Sequence, residues 1–105
     1  METRLNNIRK ILDDKKALDI QTIDLTNQGY ISDYVIIATA LNDKHSLSLL
    51  NILKEELKPL GEEFLRTEED GNWSIVDLGD IIIHIMTQPH REKYDLEDLL
   101  EDLKR

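Results

Sequence analysis

The sequence contains no cysteine, which excludes a disulfide framework, thiolate chemistry and a cysteine-ligated zinc site, and which fits a reducing compartment. Long apolar runs are missing as well. The opening stretch, METRLNNIRKILDDKK, interrupts its apolar residues with charge, so it has neither the apolar segment of a signal peptide nor the roughly 20 apolar residues of a membrane span. A soluble, cytoplasmic chain without membrane association is expected. Positive charge is scarce, with 13 Lys and Arg against 22 Asp and Glu and a formal net charge of −9. That balance repels phosphate backbones and anionic membrane surfaces and favours basic protein partners, so direct DNA binding is not expected.

Catalytic signatures are absent too. The sequence holds no glycine-rich phosphate loop, nucleophile elbow, nucleotide fingerprint or HExxH pattern. His45, His84 and His90 have no metal-ligand spacing. Asp77 and Asp80 are the one carboxylate pair with a claim to magnesium and nucleotidyl transfer. Their spacing argues against it, because Asp80 falls in a turn, where aspartate is favoured for backbone reasons alone. Thr39 to Lys44 offers a helix N-terminus to an anion, but its own Asp43 fills that place more simply. No catalytic residue, cofactor or metal is expected.

What is present is a pattern for one domain spanning residues 1–105, long enough to bury roughly 65% of its unfolded surface. Leu5, Ile8, Ile11 and Leu12 recur at helical spacing from about Glu2 to Lys16. Leu18 to Leu25 reads as a strand with one irregularity or change of face. A turn-rich connection around Gly29 leads to Tyr34 to Ala38, an apolar, β-branched run of the kind buried on both faces and placed centrally in a sheet. Asn42 or Asp43 can cap a helix carrying Leu47, Leu50, Leu53 and Leu57, which Pro59 and Gly61 end. Glu63 to Glu68, Trp73 to Leu78 and Ile81 to Met86 form a meander, with Asp70-Gly71 and Gly79-Asp80 as its turns. Pro89 starts a short turn or helix, and Asp95 can cap a last helix with Leu96, Leu99, Leu100 and Leu103 on one side. Strands joined across a helix pair parallel and hairpin strands pair antiparallel, so the expected class is α/β: a mixed five-stranded sheet flanked by helices on one face and at the edges.

The stretch WSIVDLGDIIIHIM organises the rest. A two-residue type II′ turn at Gly79-Asp80 fixes the register. Leu78 then faces Ile81, Val76 faces Ile83 and Ser74 faces Ile85 on the core side. Asp77 with Ile82, Ile75 with His84 and Trp73 with Met86 share the other side. This second face sets Trp, Met and Ile beside a histidine and a carboxylate, which suits a docking surface, although a helix of the same chain would cover it equally well.

The combination SDYVIIAT, Lys44-His45 opening a helix, Gly71-x-Trp73, DLGDIIIHIM and Arg91-Glu92-Lys93-Tyr94-Asp95-Leu96-Glu97-x-x-Leu100 resembles the RsfS branch of the Iojap family of ribosomal silencing factors. The likeness covers about Asp19 to Leu100. It departs from the family pattern at Ala40 to Lys44, with lysine in place of an arginine before the histidine, and at Leu99-Leu100, where a tryptophan is common. The resemblance implies a nucleotidyltransferase-like core without that activity. It further implies binding to the large ribosomal subunit through large-subunit ribosomal protein fourteen, a block on joining with the small subunit, and repression of translation. Trp73 matches the family tryptophan at that contact. The expected partner face is therefore Trp73 as anchor, Ile75, Ile82 and Met86 around it, and Asp77 as charge partner, with His84 and Tyr94 secondary. A catalytically active nucleotidyltransferase-like enzyme and a homodimer pairing through the same apolar face are the alternatives.

Overall fold

The computed structural model describes residues 1–104. In chain order it comprises α1 (Glu2–Asp14), β1 (Leu18–Asp24), β2 (Tyr34–Ala40), α2 (Asp43–Leu57), β3 (Arg66–Glu68), β4 (Trp73–Asp77), β5 (Ile81–Thr87), α3 (Gln88–Tyr94) and α4 (Leu96–Asp102), with a 3₁₀ turn at Lys58–Leu60 after α2. The five strands form one mixed sheet in the order β1-β2-β5-β4-β3. β2 and β5 run parallel and every other pair is antiparallel. The middle strand is thus β5, all seven residues of which are buried, and β2 lies beside it. The run Tyr34 to Ala38 is, as expected, an interior strand, with Val35 to Ala38 buried, and β5, equally apolar, takes the middle place beside it.

α1 and α2 cover one face. Leu5, Ile8 and Leu12 of α1 and Leu49, Leu50, Leu53 and Leu57 of α2 pack on Ile36, Ala38, Val76, Ile83 and Ile85. Asn42 proves to be the cap of α2, its side chain accepting the His45 backbone N–H at 2.8 Å. On the opposite face Leu100 and Leu96 join Ile23, Leu25, Val35, Ile37, Met86 and Trp73. Helices therefore lie on both faces instead of one face and the edges. α4, which follows β5 and α3, has nowhere else to bury Leu96 and Leu100 once α1 and α2 occupy the first face.

Two further boundaries differ from expectation. β3 is only three residues long, because Phe64 packs towards the core while Leu65 stays 65% exposed, and the ladder begins at Arg66. Asp95 occupies the junction of α3 and α4 with a left-handed backbone (φ 45°), and its side chain makes no cap hydrogen bond. The irregularity in β1 is a bulge between Leu18 and Gln21, where Asp19 has φ 47°.

Two close fits join the two ends of β4 to the helices of the first face. Arg4 reaches from α1 to grip Glu62 and Asp80 with paired hydrogen bonds of 2.6–2.9 Å, tying the Gly79-Asp80 turn to the first helix. At the other end of β4, Gly71 lies so near the start of α2 that a Cβ there would sit 2.8 Å from Asp43 Cβ. Only glycine fits.

Candidate functional site

The register expected for the hairpin is the observed one: Trp73 opposes Met86, Ile75 opposes His84 and Asp77 opposes Ile82. Gly79 carries the positive φ (93°) that a glycine-first turn requires. Along β4 burial alternates strictly. Ser74 and Val76 are buried towards α2, while Trp73, Ile75 and Asp77 are half-buried on the opposite face. α3 packs over β5 and β2 and α4 over β1, so the β4 side of this second face keeps its solvent contact.

Trp73 is held from two sides. Its indole N–H donates to His84 Nδ1 at 2.9 Å, and its ring meets that of Tyr94 from α3 with centroids 5.2 Å apart. The His90 ring meets that of Tyr94 in a tilted contact with centroids 5.7 Å apart, and Lys93 Nζ lies 5.4 Å from the Tyr94 centroid. Four rings, His84, Trp73, Tyr94 and His90, are therefore in successive contact, with His84 buried and Tyr94 exposed. Tilted pairs at these separations are favourable ring contacts. Tyr94 remains 47% exposed, so a helix of the chain borders the indole without sealing it.

The sequence-predicted residues divide into surface and support. Trp73, Ile75, Asp77 and Tyr94 present area to solvent. Ile82, His84 and Met86 do not: they are 5%, 7% and 0% exposed. That corrects the expectation that these three form open surface, since β5 is the middle strand and its neighbours on both sides, together with α3, cover it. His84 is an acceptor in the hydrogen bond to Trp73, and burial depresses its basicity to a pKa of about 4. It is neutral at pH 7.

The carboxylates of the hairpin are occupied locally. Asp77 Oδ1 accepts the Gly79 backbone N–H at 2.8 Å, and Asp80 is paired with Arg4, whose hydrogen bonds hold its carboxyl below the usual range. His45 is likewise structural: its Nδ1 accepts from the Leu41 N–H at 2.9 Å and its Nε2 lies 2.7 Å from the Lys15 carbonyl oxygen. Among the described residues no group of three or more His, Asp or Glu side chains is placed to hold a metal ion, and no helix is long and apolar enough to cross a membrane.

One residue escaped the reading of the sequence. Arg91, only 4% exposed, donates from Nη1 to the Asp19 carbonyl at 2.6 Å and to Thr39 Oγ1 at 2.7 Å, and from Nη2 and Nε to the Glu97 carboxylate at 2.6 and 3.2 Å. It stands in the motif stretch Arg91 to Leu100, but a lone arginine in a polar run carries no sequence signal of burial.

Comparison with known proteins fits this geometry. The "Ribosomal silencing factor RsfS" of Bacillus subtilis is 30% identical over 92 residues, covering 86% of this chain and 78% of the relative. A crystal structure of a Chromobacterium violaceum protein superposes with a TM-score of 0.84 at 30% identity, covering 90% of this chain and 80% of that one. The mouse "Mitochondrial assembly of ribosomal large subunit protein 1" is 28% identical over 94 residues, which are 85% of this chain and 41% of that protein. The family model described as "Ribosomal silencing factor during starvation" matches residues 1–105, and the chain belongs to that RsfS family.

Proposed function

We propose that this chain acts in the cytoplasm as an antiassociation factor: it binds the large ribosomal subunit through large-subunit ribosomal protein fourteen, obstructs joining with the small subunit, and so represses translation without turnover. The observation that carries this reading is the half-buried Trp73 beside Ile75 and Asp77, on a sheet face that the chain's own helices border but do not close. An aromatic anchor set among apolar and acidic neighbours is what a basic protein surface recognises, and such an anchor supplies about 2 kcal/mol or more. The net charge of −9 favours encounter with a cationic ribosomal protein. Family membership supports the ribosome as the target, and the name of the mouse relative points to the large subunit.

In this reading Trp73 is the anchor, Ile75 its apolar neighbour, Asp77 the charge partner and Tyr94 an extension onto α3. Ile82, His84 and Met86 hold the anchor from below. The nucleotidyltransferase-like core serves as scaffold, with Asp77 and Asp80 tied to Gly79 and Arg4.

The test is co-sedimentation with purified subunits. Native chain is expected to migrate with large subunits and to prevent formation of intact ribosomes, whereas Trp73→Ala, folded by circular dichroism, fails in both. Equal co-migration of the two would refute the face. Self-pairing through the same surface would instead give a dilution-dependent mass in light scattering.

A further inference from the structure

We infer that Arg91 is a positioning residue for the Trp73 face: by locking α3 and α4 to the β1 bulge it sets the place of Tyr94 against the indole, and through it the affinity for the partner. This rests on the function proposed above. The guanidinium is buried beneath three elements. Nη1 ties α3 to β1, through the Asp19 carbonyl, and to β2, through Thr39 Oγ1. Nε and Nη2 grip Glu97 across the α3–α4 junction, and Nη2 also lies 3.6 Å from the Asp19 carboxylate. Such a fork satisfies its donors in one arrangement only, which lysine cannot reproduce.

The local backbone is shaped to the same end. Asp19 takes φ 47° in the β1 bulge beside the arginine, and Asp95 takes φ 45° at the bend between the helices. Both are left-handed at non-glycine residues, a conformation that persists only where surrounding structure enforces it. α3 has just seven residues, too few to be stable in isolation. Its placement therefore depends on its anchors, and Arg91 stands one turn before Tyr94. The Tyr94 ring meets Trp73 at 5.2 Å, so a shift of α3 changes the shape a partner meets without touching it.

Trp73 is the only tryptophan in the chain, which makes its emission a direct reporter. Arg91→Gln and Glu97→Gln are compared with the native chain by emission maximum, acrylamide quenching and large-subunit binding. Arg4→Gln, which breaks the clamp at the opposite end of the hairpin, controls for general loosening. The Arg91 and Glu97 variants are expected to shift emission to the red, to raise quenching, and to weaken binding about tenfold, the scale on which residues touching neither partner modulate a contact. Arg4→Gln is expected to leave emission and binding as they are. Where Arg91→Gln does not fold, Glu97→Gln carries the same comparison, since it keeps the guanidinium and its bonds to Asp19 and Thr39. Unchanged emission and quenching in a folded variant would overturn the inference, as would an equal shift in Arg4→Gln. A native chain that binds no large subunits would overturn the proposed function instead, and the fluorescence would still decide whether Arg91 places Tyr94.

Discussion

Trp73 donates its indole N–H to Nδ1 of His84, 2.9 Å away, across the β4–β5 pair. The bond uses the neutral imidazole as acceptor, so the anchor of the open face depends on the protonation state of a buried group beneath it.

The first prediction follows from that dependence. Burial lowers the His84 pKa to about 4 from its ordinary 6.5. Between these values the unfolded chain holds the proton and the folded chain does not, so stability is complete above pH 6.5 and declines as the pH falls towards 4. The loss should reach about 3 kcal/mol at pH 4. Urea unfolding at pH 7, 5.5 and 4 measures it. His84→Asn, which keeps an acceptor for Trp73 but cannot titrate, should flatten the decline across this window. Below it, protonation of Asp80, whose pairing with Arg4 lowers its pKa, removes further stability.

Arg4 supports the second prediction. It grips Glu62, whose side chain is 8% exposed, and Asp80, which is 38% exposed. Arg4→Ala leaves the Glu62 carboxylate buried without its partner. Breaking a buried pair costs 3–5 kcal/mol in general, and the partial exposure of Arg4 reduces this to about 2 kcal/mol. A fall of roughly 10 °C in thermal midpoint is expected, and a fall under 2 °C would show the clamp to be inert.

Gly71 gives the third. A methyl group there would lie 2.8 Å from Asp43 Cβ and 2.9 Å from its Cγ, so Gly71→Ala should destabilise by about 1–3 kcal/mol, as overpacking does. Removing the obstruction in Asp43→Gly should recover much of that loss in the double variant. Additive losses in a double-mutant cycle would place the strain elsewhere.

The fourth concerns the open face itself. Ile75 is half-buried on the second face of β4, so Ile75→Lys should keep stability within about 1 kcal/mol. It should nevertheless lower large-subunit binding at least tenfold, because a cation would then confront a basic partner. Binding unchanged in this variant would move the contact away from β4.

The elements and the hairpin register were legible because they are local: helical spacing in α1 and α2, the apolar run of β2, and the Gly79-Asp80 turn that alone fixes which residues oppose across β4 and β5. The same alternation marked Trp73, Ile75 and Asp77 as one row, and the absence of cysteine and the surplus of acid bounded the chemistry. Depth was not legible. That Met86 and His84 lie under the surface while Ile75 reaches solvent depends on β5 taking the middle of the sheet and on α3 and α4 crossing to the second face. Those choices are made by packing between elements far apart in sequence, which no local pattern records. Arg91 shows the same division, for its identity is written in the chain, whereas its burial against Asp19, 72 residues away, exists only once the fold has brought their elements together.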